Sequence, residues 1–253
     1  MEDLRGKCVL ITGGSTGIGA ATALAFAERG AHVAIHYHNS ADAARSVAAK
    51  ARGMGVRAVT HQADAHDSAA MKRLVENTVA ELGRIDVLIN NAGALVRRVP
   101  IEQLDDAVFD DIVQLNVRSA LMASAAAVPH MRRQSGGSII FVTSVAARHG
   151  GGPGAAVYAG SKGFISTATH GLAKELVKDG IRVNAVSPGV ILTPFHEKFT
   201  TAQQLESFRA TIPMNRLGRA DECVGAFLYL ASEKLSGYVT GQIIEVNGGQ
   251  YML

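Results

Sequence analysis

Short runs of apolar, often β-branched residues alternate along the chain with longer Ala-rich stretches whose apolar positions recur at helical spacing. The runs predict strands over Lys7–Thr12, His32–Tyr37, Arg57–Gln62, Ile85–Asn90, Ser138–Thr143, Arg182–Ser187 and Gln242–Val246. Several are apolar on consecutive residues, the pattern of strands covered on both faces. The stretches between them predict helices over Gly17–Arg29, Ala41–Met54, Asp67–Leu82, Leu104–Met131, Val157–Lys178 and Ala220–Leu230. Such alternation builds βαβ units and a parallel sheet. No linker, low-complexity tract or internal repeat divides residues 1–253. The expected fold is a single-domain α/β, Rossmann-like doubly wound parallel sheet of about seven strands with helices on both faces. A cofactor half is expected over about 1–135 and a catalytic and substrate half over about 136–253. Within the latter, a lid is expected over about 193–213, where Phe195, Phe199 and Phe208 alternate with His196, Glu197, Lys198, Gln203 and Gln204.

Composition narrows the function classes. Hydrophobic residues make up 47% and charged residues 19% of the 253, a globular balance. The formal net charge is +3, and the only tight basic pairs are Arg97-Arg98 and Arg132-Arg133, which argues against nucleic acid as a partner. Cys8 and Cys223 are too few for a disulfide framework or a zinc site, and the nine histidines form no metal pattern. The first apolar run is too short for a signal peptide or a membrane span. The expectation is a cytoplasmic protein with a small-molecule ligand.

The first strand runs into Thr12-Gly13-Gly14-Ser15-Thr16-Gly17-Ile18-Gly19, which opens a helix. Glycines there let the backbone approach a pyrophosphate, whose charge a helix N-terminus stabilises. The spacing Gly13-x3-Gly17-x-Gly19 differs from the GxGxxG fingerprint. The second strand ends in His38-Asn39-Ser40, with no Asp or Glu to bind ribose hydroxyls. The absence of an acid removes repulsion against a 2′-phosphate, so NADP(H) is favoured over NAD(H), although no Arg or Lys stands in the turn. Asp64 could accept from an adenine amino group, or it could be a helix-capping carboxylate.

Tyr158 and Lys162 lie four apart on one helix face, so the ammonium should lower the phenol's pKa toward neutrality for acid/base work. Ser144 closes a strand and could hydrogen-bond an oxygen whose charge changes during hydride transfer. Asn116, within a helical stretch, reads from the residues alone as a packing or surface residue. No Gly-x-Ser-x-Gly elbow supports a hydrolase.

Together these residues resemble the short-chain dehydrogenase/reductase family over essentially the whole chain. Thr12 to Gly19 match its cofactor loop, and Asn90-Asn91-Ala92-Gly93 its adenosine-side support. Asn116, Ser144, Tyr158 and Lys162 match its catalytic tetrad, and Ser187-Pro188-Gly189 with Thr193 its nicotinamide-amide border. The resemblance implies that Tyr158 donates a proton, Ser144 holds the carbonyl oxygen, Lys162 binds the nicotinamide ribose, and Asn116 holds a relay water. It implies a dinucleotide lined also by Ala65 and Ile191, and a homotetramer. Within the family, the chain is most similar to bacterial 3-oxoacyl-acyl-carrier-protein reductases and their sugar-dehydrogenase relatives, through Glu245–Leu253 and Gly218–Glu222. Thr16 stands where the former commonly have Arg, and Gly150–Gly154 is unusually glycine-rich. Three functions stay open: a reductase of 3-oxoacyl thioesters or similar ketones, a polyol, sugar or cyclic-alcohol dehydrogenase, and a non-catalytic dinucleotide sensor. Arg132, Arg133 and Lys174 are candidates for docking an acidic carrier protein.

Overall fold

The computed structural model describes residues 1–194 and 200–252. Its main sheet takes β1 (Cys8–Ile11), β2 (His32–Tyr37), β3 (Ala58–Gln62), β4 (Val87–Asn90), β5 (Gly137–Val142), β6 (Ile181–Pro188) and β9 (Ile243–Val246). All seven are parallel, in the order β3-β2-β1-β4-β5-β6-β9. The chain therefore builds outward from β1 to β3 and returns to β4 beside β1, opening a crevice at the carboxyl ends of these two strands. A second, two-stranded sheet pairs β7 (Ile191–Leu192) with β8 (Gly218–Arg219), which the pattern of apolar runs does not predict.

The consecutive apolar residues have a direct cause. Val9 and Ile11 of β1 belong to one core with Phe26 and Phe227, while Leu10 between them belongs to another with Met71, Leu74 and Phe141. Helices α1 (Gly17–Glu28), α2 (Ala41–Gly53) and α9 (Ala220–Ala231) cover the first face. Helices α3 (Ser68–Leu82), α5 (Ser119–Arg133) and α7 (Ala156–Leu176) cover the second. Successive strand residues point to opposite faces and both faces are buried, so every β1 residue must be apolar. Among the described residues, no helix is long and apolar enough to cross a membrane.

One predicted helix is divided. Leu104–Met131 comprises α4 (Asp106–Val113), a π turn over Gln114–Arg118, and α5, which runs on to Arg133. Asp105 caps α4 by accepting from the Val108 amide, so the helix begins after Leu104. In the π turn, Asn116 Nδ2 donates to the Ile112 carbonyl at 2.9 Å and Ser119 Oγ donates to that of Leu115 at 2.5 Å. Side chains that take up carbonyls four residues back compete with the helical ladder and widen it. Among the described residues, three short α-helices also escape the sequence pattern: α6 (Ala146–His149), α8 (Ala202–Ala210) and α10 (Glu233–Ser236).

Candidate active site

The turn after β1 is fixed by hydrogen bonds rather than by packing. Thr12 Oγ1 accepts the amides of Asn91 and Ala92, each at 3.0 Å, and Asn91 Nδ2 donates to the carbonyls of Thr12 and Gly13. Gly13 and Gly17 take φ of 61° and 54°, a region that favours glycine. A side chain on Gly19 would put its Cβ 2.2 Å from the Gly13 carbonyl oxygen. Thr16, the N-cap of α1, makes no side-chain capping bond. The amides of the helix's first turn and its positive dipole end thus face the crevice, in a turn too tight for a Cβ on Gly19. This donor set fits a pyrophosphate.

Across the crevice, Ser144 follows β5 and Tyr158 sits in the first turns of α7. Thr143 ties the two elements together, its Oγ1 donating to the Lys162 carbonyl at 2.8 Å. Burial pushes the Tyr158 phenol up to about 12, against the opposing effect of its hydrogen bond with the Ser144 side chain. Lys162 Nζ lies 5.9 Å from the Tyr158 ring centroid and donates to the Val142 carbonyl at 2.9 Å. Burial pushes this ammonium down to about 8. The expected depression of the tyrosine is thereby corrected: spacing brings the cation near, but desolvation of the phenolate wins. What the trio offers is a phenol that keeps its proton at neutral pH, beside a hydroxyl and a cation close to its own titration point.

Asn116 is buried behind them. Its Oδ1 accepts the Ala94 amide at 3.1 Å, and Nδ2 donates to the carbonyls of Ala94 and Ile112. Both amide hydrogens are used, so a water could approach only the second lone pair of Oδ1. Gly93 makes this arrangement possible, since a Cβ there would lie 2.6 Å from Asn116 Oδ1 and 3.0 Å from Lys162 Nζ.

The loop and the trio line one cavity of about 330 Å³. Ser15, Thr16 and Ile18 line its loop side, and Asn91, Ala92 and Gly93 its floor. Pro188, Gly189, Ile191 and Thr193 close it. His38, Asn39 and Ser40 lie outside this lining, exposed at the end of β2, and Ala65 is buried beyond it. Asp64 also lies outside the lining, and it is not a helix cap, since Asp67 caps α3. Instead Asp64 Oδ1 accepts the His66 amide and meets His66 Nδ1 at 2.8 Å, while His66 Nε2 meets Asp111 Oδ1 at 2.6 Å. These hydrogen bonds hold the Asp64 carboxyl below its usual value. Of the predicted lid, Phe208 lines the cavity, and Phe195, His196, Glu197, Lys198 and Phe199 fall outside the described residues.

Sequence reasoning missed Arg98, His149 and Gln250, which also line the cavity. Gly150–Gly154 carries the signal for the first two. The Gly154 carbonyl accepts the Val99 amide at 2.9 Å, and a Cβ on Gly154 would strike that nitrogen at the same distance. Arg98 Nη1 donates to the Pro153 carbonyl at 3.1 Å. The glycines therefore let two loops clasp at the mouth of the cavity.

A doubly wound sheet whose β1 edge offers a cradle fitted to pyrophosphate, opposite a Ser-Tyr-Lys group, has the form of a dinucleotide-dependent oxidoreductase. The chain belongs to the short-chain dehydrogenase/reductase family of NAD(P)-dependent oxidoreductases. The family model described as enoyl-(acyl carrier protein) reductase matches residues 13–250. A 3-oxoacyl-[acyl-carrier-protein] reductase of Thermotoga maritima is 39% identical over 97% of this chain and 98% of its own. An NADH-dependent reductase described as responsible for alginate metabolism is 40% identical, covers 100% of both chains, and superposes with a TM-score of 0.92. The same reductase in complex with NAD is also 40% identical, over 100% of this chain and 99% of its own, with a TM-score of 0.89. A nicotinamide cofactor is thus common ground.

Proposed function

We propose that the protein is a ketoreductase acting on a 3-oxoacyl-thioester-type substrate or a similar small ketone. The observation that carries this reading is the hydrogen-bonded Ser144–Tyr158 pair beside the buried Lys162 ammonium. When bound, the nicotinamide supplies the hydride. Ser144 holds the carbonyl oxygen, and Tyr158 delivers a proton to it as charge develops there. Lys162 binds the nicotinamide ribose and offsets negative charge on the phenolate left behind. Asn116 fixes the Gly93–Ala94 turn against Lys162. The lining favours a substrate rich in oxygen or negative charge, because its described ionisable side chains are Arg98, His149, Tyr158 and Lys162, with no carboxylate. Polyol, sugar and cyclic-alcohol oxidation by the same group is the second reading, and the sugar-related work of the alginate reductase gives it weight.

Residues up to about 135 serve the cofactor, and those beyond it serve chemistry and substrate, with 193–213 as the lid. NADP(H) is preferred over NAD(H), because β2 ends without a carboxylate and leaves His38, Asn39 and Ser40 exposed to donate. With no guanidinium in that turn, the preference should be modest, on the order of tenfold in affinity. Titration of cofactor fluorescence with NADPH and NADH measures it, and tighter NADH binding reverses the assignment. Offering acetoacetyl thioesters, enoyl thioesters and a polyol panel then tests the substrate class. Arg132 is already paired with Asp179 at 2.7 Å and Arg133 Nη2 meets His130 Nδ1 at 2.6 Å, which leaves the exposed Lys174 as the better candidate for a carrier-protein contact. A cytoplasmic homotetramer is the expected assembly. Phe109 and Phe164 are exposed, and methyls on Gly160 and Gly163 of α7 would meet nothing, so this face has room for a second helix. A solution mass near 26.5 kDa would refute it.

The pH profile follows from the site. Tyr158, pushed up to about 12, stays protonated, whereas Lys162, at about 8, loses its charge first. Carbonyl reduction should therefore be flat through neutrality and fall as pH rises past about 8. In Lys162→Arg that limb should vanish, since a guanidinium does not deprotonate. A limb that stays in place identifies another group.

A further inference from the structure

The glycine loop is gripped from two sides of unlike chemistry. Toward β4 the grip is made by Thr12 and Asn91, which do not titrate. Toward β2 it is made by one residue, His36. The His36 backbone carbonyl accepts the Gly14 amide at 2.8 Å, and its Nδ1 accepts the Gly13 amide at 3.1 Å. Its Nε2 lies 3.1 Å from the Ala63 carbonyl. A carbonyl only accepts, so Nε2 carries the hydrogen and Nδ1 the lone pair. The ring is fixed as one neutral tautomer at 2% exposure, where no solvent shell substitutes for a lost partner.

We infer that His36 is a positioning residue for the dinucleotide loop, and that its protonation releases the loop and weakens cofactor binding. This rests on reading the loop as the dinucleotide site. A proton on Nδ1 sets one donor against another, the Gly13 N–H, at a residue whose φ of 61° defines the first bend of the cradle. The titratable groups facing the ring are His38 on the same strand, His61 opposite it in register on β3, and Asp64 beyond β3. Burial is the largest influence and opposes the charge, and both histidines oppose it too. The Ala63 carbonyl and Asp64 favour it, but Asp64 is already engaged by His66. The balance holds His36 below the ordinary imidazole value. The neutral form is the one that grips, so affinity is complete at neutral pH and is lost as pH falls through a value under ~6.5.

The test is cofactor fluorescence titration between about pH 5 and about pH 8 for wild type, His36→Asn and His36→Leu. Asn keeps an acceptor near Nδ1 but takes no proton; Leu keeps neither. Wild-type affinity should weaken progressively toward the acid end. His36→Asn should bind like neutral wild type at every pH. His36→Leu should bind about tenfold more weakly throughout, with kcat at saturating cofactor nearly unchanged. An acid limb that persists in His36→Asn overturns the proposal, as does wild-type affinity in His36→Leu. Nitrogen NMR of the wild-type histidines stands even if a variant does not fold: His36 must show an unprotonated Nδ1, and a protonated one refutes the grip. Failure of wild type to bind either nicotinamide, with that tautomer present, would instead refute the dinucleotide reading of the loop.

Discussion

Tyr158→Phe should lower kcat for carbonyl reduction by about 10³-fold while leaving cofactor affinity within about twofold. The substitution removes one oxygen and keeps the ring, so the packing of α7 against the cavity survives. What disappears is the only phenol among the described residues of the cavity lining, together with its hydrogen bond to Ser144. A loss of that size corresponds to ~4 kcal/mol of transition-state stabilisation. It fits a proton donor whose pKa, at about 12, still lies below that of an ordinary alcohol, so that the proton passes downhill to the oxygen as alkoxide charge develops. Ser144→Ala should cost less, about 10²-fold, because it removes an oxygen-holding hydroxyl and leaves the donor in place. Steady-state rates set beside a cofactor titration separate these effects from lost binding. Turnover within tenfold of wild type in Tyr158→Phe would place the proton source elsewhere. Tight cofactor binding with no turnover by wild type on any substrate would favour the sensor reading.

How much of this was legible depended on how far each feature reaches along the chain. The seven strands of the main sheet could be read because burial on both faces leaves an uninterrupted apolar run, as in Val9-Leu10-Ile11. The crevice at β1 could be read because glycine between strand and helix has few other uses. The break inside Leu104–Met131 could not. It turns on Asn116, whose side chain bonds back to Ile112 and is also held by the Ala94 amide 22 positions away, and no helical periodicity records that second contact. Asp64 was ambiguous for a related reason: the capping role fell to Asp67, and the ring that engages Asp64 is itself bridged to Asp111 on α4. His36 was visible as a histidine in a strand, but its work requires the β1 loop and the β3 end to sit on either side of it. The Tyr158–Lys162 spacing predicted proximity and missed the cost of burial, a property of the surrounding cavity that a four-residue spacing does not contain.

Gly19→Ala should weaken cofactor binding by at least about 100-fold, or ~2.7 kcal/mol. Gly19 lies in the first turn of α1 and its φ is not positive, so alanine suits its backbone and improves helix propensity. The obstacle is purely steric. The added Cβ would sit 2.2 Å from the Gly13 carbonyl oxygen and 2.7 Å from Asn91 Nδ2. Those two atoms are themselves hydrogen-bonded at 2.9 Å, so the methyl wedges apart the bond that fixes the cradle. Overpacking of this kind also costs about 1–3 kcal/mol of stability. Gly160→Ala is the matched control, another helical glycine but with nothing within 4 Å of its Cβ. There the propensity gain of about 1 kcal/mol should appear as a higher melting temperature, with cofactor affinity unchanged. Loss of that gain, with a fall in solution mass, would mean that a neighbouring subunit occupies the space beside α7. Full cofactor affinity in Gly19→Ala would mean that the phosphates do not bind in this cradle, and the dinucleotide would have to be placed elsewhere along the crevice.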